Sequence, residues 1–112
     1  MIRCEFYQKG DRITGFTVSG HSDSAEYAAP GSGEVCAFVT GVVTMAEATI
    51  NDVLGAQAKY RIQDGEENFV KLSLPASCDE EECVQAVLTG MMLTLSSVRD
   101  DYPDFIEVVM EV

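Results

Sequence analysis

Tryptophan is absent, histidine occurs once, and the 112 residues hold only seven Lys+Arg against nineteen Asp+Glu. The scarcity of cations argues against nucleic-acid binding, whose affinity comes largely from Lys and Arg neutralising phosphates. A net charge of -12 suits a basic protein or peptide partner instead. Cys4, Cys36, Cys78 and Cys83 form no C-x-x-C pair. With a single His to add, they match no four-ligand zinc pattern, so no metal and no cofactor is expected. The start, Met1-Ile2-Arg3-Cys4-Glu5, lacks the basic residues and the apolar run of about 7–15 residues that a secretory signal needs. A cytoplasmic chain with reduced thiols is the expectation. No membrane span is expected either. The longest weakly polar stretch, Val35 to Ile50, is interrupted by Thr40, Thr44 and Glu47 and falls short of the ~20 apolar residues required.

What remains is an ordinary globular composition, 46% hydrophobic and 23% charged, at a length that suits one domain over residues 1–112. Ile2, Cys4 and Phe6 alternate with polar neighbours as in a half-buried strand, and Lys9-Gly10-Asp11 turns the chain into a second strand, Arg12 to Val18. Ser19 to Glu34, with Gly20, Pro30, Gly31 and Gly33, has no period and reads as a long loop of the kind that carries function. From Val35 to Leu54 the apolar residues recur at helical spacing, and Gly55 ends the run. Tyr60 and Ile62, then Val70 and Leu72, mark a second hairpin around Asp64-Gly65. Ser77 with Glu80, or Asp79 with Glu82, offers a capping box for a second helix that carries Val84, Leu88, Met91 and Leu95. A last strand runs through Ile106, Val108 and Met110. The order is strand-strand-helix-strand-strand-helix-strand, an α+β fold with two helices on one face of a mixed or antiparallel sheet.

Chemistry concentrates at the ends of the long loop. His21 opens it, and Cys36 stands second in the expected helix, where unsatisfied N–H groups and the positive end of the helix dipole favour a thiolate. At 100° per residue Cys36 shares a polar strip with Thr40, Thr44 and Glu47 beside the apolar stripe. In a Cys-His pair the imidazole takes the thiol proton, the thiolate attacks a carbonyl, and the imidazolium protonates the leaving amine. Backbone N–H groups of Cys36 and its neighbours would form the oxyanion hole. Cys4 alternates inward and reads as core, while Cys78 and Cys83 match no redox motif.

Gly20-His21-Ser22, a glycine-bearing loop and Val35-Cys36-Ala37-Phe38-Val39-Thr40 resemble the ribosomal-processing cysteine protease family called Prp, whose pattern is roughly G-H-A, a loop, then D-I-V-C-A-A-V-S. The element order agrees over nearly the whole chain. The resemblance implies a cytoplasmic endopeptidase that removes a short N-terminal extension from a large-subunit ribosomal protein. It also implies His21 and Cys36 as the dyad, a homodimer and a loop that opens for substrate. Ser22 replaces the usual Ala, Gly33 the usual Asp and Thr40 the usual Ser, and the loop is a few residues longer. Asp23 or Glu34 would stand in for the missing Asp. Gly20, Ser22, Ala37 and Thr40 are the other expected oxyanion or loop supports. The rival reading is a non-enzymatic acidic module that binds a basic ribosomal protein. A thiol-redox role for Cys78 and Cys83 is the third.

Overall fold

The computed structural model describes residues 1–20 and 32–112. Strands β1 (Ile2–Lys9) and β2 (Arg12–Ser19) form the first hairpin and β3 (Lys59–Gln63) and β4 (Phe69–Ser73) the second, while β5 (Ile106–Glu111) ends the chain. They join in one sheet of order β3-β4-β2-β1-β5. Only β1 with β5 is parallel, which makes the sheet mixed, and the α+β expectation holds.

Register explains how one face becomes the core. Tyr60, Leu72, Phe16, Phe6 and Met110 stand opposite one another across all five strands. Ile62, Val70, Val18, Cys4 and Val108 form the next row. Because side chains alternate with period two, both rows project from the same face. Phe6 and Phe16 are wholly buried, their rings 6.1 Å apart. Gly15 lets β2 and β4 meet there, since a Cβ on it would lie 2.2 Å from the Leu72 carbonyl oxygen. The opposite face is polar. Arg3 reaches Glu5 at 2.9 Å and Glu107 at 2.8 Å, and Tyr7 Oη and Thr17 Oγ1 share a hydrogen bond of 2.8 Å.

Helices α1 (Ser32–Glu47) and α2 (Glu81–Asp101) cover the apolar face. Val35, Val39, Val43 and Ala46 of α1 and Val84, Leu88, Met91 and Leu95 of α2 are buried in the same cluster as the strand residues. The first helix differs from expectation at both ends. It starts at Ser32, three residues before Val35, and passes into a π-helical segment, Ala48–Val53. Helical spacing of apolar residues cannot distinguish an α turn from a π turn, and Ser32-Gly33-Glu34 carry no apolar marker. The stretch Gly33–Val53 is thereby long and apolar enough, at mean hydropathy 1.3, to pass for a membrane span by length and composition. That corrects the reading of a run too short to cross. In this fold it is the helix whose Val35, Val39, Val43, Ala46 and Ile50 pack into the core.

The second helix corrects the capping box. Its N-cap is Glu80, in a left-handed conformation (φ 57°) and without a side-chain cap. Glu81 is occupied elsewhere. Its carboxylate pairs with Arg12 and accepts a hydrogen bond from Cys78 Sγ at 2.8 Å. Arg12 also donates to the Pro75 carbonyl at 2.7 Å. The start of α2 is therefore tied to the first hairpin by side chains, with no local cap.

Candidate active site

Where α1 crosses the second row of the sheet face, helix and sheet do not close completely. They leave a groove of about 390 Å³. Ile2, Val18, Val70, Ile62 and Tyr60 form its sheet side, and Cys36, Val39, Thr40, Val43 and Thr44 its helix side. Cys36 is half-buried, consistent with the polar strip read from the helical wheel. The threonines on that strip turn back on the helix. Thr40 Oγ1 donates to the Cys36 carbonyl at 2.9 Å, and Thr44 Oγ1 to the Thr40 carbonyl at 2.7 Å.

Gly20 lines the same groove. Its φ of +85° suits glycine, and a Cβ there would come within 2.3 Å of the Met1 carbonyl oxygen. Asn68 holds this residue from both sides. The Gly20 N–H donates to the Asn68 carbonyl at 3.3 Å, and Asn68 Nδ2 donates to the Gly20 carbonyl at 3.1 Å. That second bond orients the amide and leaves Asn68 Oδ1 buried without a hydrogen-bond partner, the only such side-chain atom among the described residues. An unsatisfied buried acceptor costs about 1–3 kcal/mol.

The expected site residues therefore divide. Gly20, Cys36 and Thr40 meet at one groove. Glu34 and Ala37 do not line it: Ala37 is exposed, and Glu34 lines a different groove with Phe38. His21, Ser22 and Asp23 lie outside the described residues. The oxyanion expectation changes as well. With α1 beginning at Ser32, Cys36 is its fifth residue, and its N–H falls within the i to i−4 ladder, as does that of Ala37. Asn68 and Tyr60 were not foreseen. Asn68 follows a polar turn like any other, and only the pairing of β4 with β2 brings it to Gly20.

The remaining thiols are placed by their surroundings. Cys4 is wholly buried, and burial, with a smaller contribution from Glu107, pushes its thiol up to about 12. Burial and the Glu81 carboxylate also raise Cys78, which makes it a poor nucleophile. Among the described residues no three His, Cys, Asp or Glu side chains gather as metal ligands would.

Known proteins share this fold. The ribosomal processing cysteine protease Prp of Bacillus subtilis (strain 168) is 29% identical, over 100% of this chain and 99% of its own. SMU.848 from Streptococcus mutans superposes with a TM-score of 0.86 at 19% identity, covering 99% of this chain and 94% of its own. The essential ribosomal processing protease Prp from S. aureus, solved in complex with a covalently linked product peptide, gives 0.80 at 19% identity over 99% and 100%. The sequence model of the family "Cysteine protease Prp" matches residues 1–107, so a groove that presents Cys36 beside the strand end leading to the only histidine belongs to a member of that cysteine protease family.

Proposed function

We propose that the protein is an endopeptidase in which Cys36 is the nucleophile and His21 the general base and acid. The observation that carries the reading is the shared groove: Cys36 and Gly20, the covalent neighbour of His21, line one cavity. His21 takes the Sγ proton, and the thiolate adds to the scissile carbonyl. The tetrahedral intermediate expels the amine, which takes the proton back from the imidazolium, and a thioester remains. Water, deprotonated by the imidazole, adds to the thioester and releases the acid and the thiol.

In this reading the work of ionisation falls to the base. A helix dipole acts mainly within the first turn, and Cys36 lies beyond it. The imidazolium is therefore the main stabiliser of the thiolate. On the substrate side, Val18, Ile62 and Val70 favour apolar side chains next to the scissile bond, and the charge of -12 favours a basic protein. The B. subtilis and S. aureus relatives are named as ribosomal processing proteases; for this chain we propose ribosomal processing in the specific form that the sequence resemblance implies, removal of an N-terminal extension from a large-subunit ribosomal protein, in the cytoplasm and as a homodimer. Cys36→Ala and His21→Ala should each abolish cleavage of such a precursor while circular dichroism stays native. Cleavage at the normal rate by either variant would refute the dyad. Precursor binding without any product from the parent protein would favour the non-enzymatic acidic module.

A further inference from the structure

A second groove lies on the other side of α1. It is the larger, about 590 Å³, and is formed by the start of α1 and the C-terminal half of α2. Positions 36 and 38 are about 200° apart on a helix, so Phe38 faces this groove while Cys36 faces the first. Its apolar lining is unusually open: Phe38 is 47%, Leu93 62% and Tyr102 41% exposed. Glu34 and Asp101 complete the rim. Among the ion pairs between described residues, neither carboxylate takes part.

The acids on the α2 side are badly placed for the helix itself. Its C-terminus is the negative end of the dipole and leaves unsatisfied carbonyls, yet Asp100 and Asp101 close it, and Asp104 follows shortly after. Arg99 offsets only one of them, pairing with Asp100 at 3.1 Å. Carboxylates, carbonyl ends and an open apolar floor together complement a segment that combines large apolar side chains with Lys or Arg. A second copy of this chain fits poorly. A two-fold contact here would bring the acidic rims of two copies, each with Glu34 and Asp101, into one interface, like charge facing like.

We propose that this groove is an exosite for a cationic, apolar segment of the protein that is cut in the Cys36 groove. The inference rests on the peptidase reading. Geometry links the two sites. The width of one helix, about 10–12 Å, separates them, a span of about four extended residues. A substrate protein whose chain extends beyond that span on one side of the scissile bond is long enough to reach both.

Two arms test it. In the first, full-length Cys36→Ala protein is titrated with a short labelled peptide of alternating Phe, Leu and Lys. Binding should tighten at low salt, weaken roughly tenfold in Leu93→Ser and in Asp101→Lys, and vanish when Glu replaces Lys in the peptide. Unchanged affinity in both variants, or equal binding of the Glu peptide, overturns the exosite. In the second arm, kcat/KM is compared between a full precursor and a short peptide spanning only the scissile bond. Leu93→Ser should lower the precursor-to-peptide ratio about tenfold, and an unchanged ratio overturns the proposal. If the parent protein cleaves neither, the peptidase reading falls while the binding arm still decides the groove. Sedimentation covers the remaining occupant: a dimer that Leu93→Ser dissociates would make the groove a self-contact and overturn the proposal.

Discussion

Cys4 is sealed in the middle of the sheet, whereas Cys36 lies half-buried along a groove between the sheet and α1. Both thiols belong to the same apolar layer. What separates them is access. Burial withholds the proton-accepting environment of water from Cys4 and holds its thiol near 12, so that it packs as a small hydrophobe. Cys36 borders open space and the strand end that leads to the one histidine. The presence of a thiol therefore says little about chemistry here, and the presence of a cavity beside it says much.

The largest effect expected from this contrast is on turnover. Cys36→Ser should lower kcat by at least about 1,000-fold, since members of a nucleophile-base unit act together. Cys4→Ala should leave kcat within about twofold and instead cost about 1–2 kcal/mol of stability through lost packing. Alkylation sharpens the comparison. In the native protein iodoacetamide should label Cys36, and more slowly in His21→Ala, whereas Cys4 should react only on unfolding. Native labelling of Cys4, or His21-independent labelling of Cys36, would break the distinction.

Next in size is the response of Cys4 to alkali. A thiol whose pKa is raised by folding keeps its proton in the fold while the unfolded chain gives it up. Its contribution is thus complete below the ordinary thiol range and is lost as pH rises from there toward about 12, by up to about 1.4 kcal/mol per pH unit. Urea melts between pH 8 and 10.5 should show a decline in the parent protein that is shallower in Cys4→Ala. Parallel curves would contradict the burial argument.

Asn68 supplies a smaller test on the Cys36 side. Its two bonds to Gly20 hold the residue that precedes His21 in the sequence. Under the proposed dyad, Asn68→Ala should reduce kcat about tenfold with KM within about twofold, because the groove floor remains while Gly20, the covalent neighbour of the proposed base, loses a tether. Asn68→Asp, which keeps the acceptor and loses the Nδ2 donor, should do no better at neutral pH. A rise in KM alone would assign Asn68 to substrate binding.

The contrast also explains how much could be read in advance. Period-two alternation exposes both hairpins and the last strand, because each buried row comes from alternate residues. Cys36 could be placed beside the apolar stripe for the same reason. Three features could not be read. The first turn of α1, Ser32-Gly33-Glu34, has no apolar residue to announce it. Glu80 takes the N-cap position in a left-handed conformation without a side-chain cap, and the helix start is tied instead through Glu81 to Arg12 and Cys78, remote from or outside the helix. Asn68 acts on a residue 48 positions away, through a strand pairing that skips β3 and α1. Local pattern carries what neighbours decide, and these three depend on the tertiary structure.

The smallest expected effect lies where the thiols are bystanders. Arg12 first, then Cys78, holds the Glu81 carboxyl below the ordinary carboxylate range. A carboxylate depressed by folding stabilises above its unfolded pKa, and that contribution is lost as pH falls through the folded one. Glu81→Gln should therefore destabilise at neutral pH and converge on the parent protein in acid. Its size stays below about 1 kcal/mol, because the pair is partly exposed, with side chains 25% and 36% accessible, and water screens it. Cleavage should be unchanged, since this cluster ties α2 to the first hairpin and lines neither groove. A pH-independent difference between the two melting curves would show that Glu81 acts through its shape, as a hydrogen-bond acceptor for Cys78, and not through its charge.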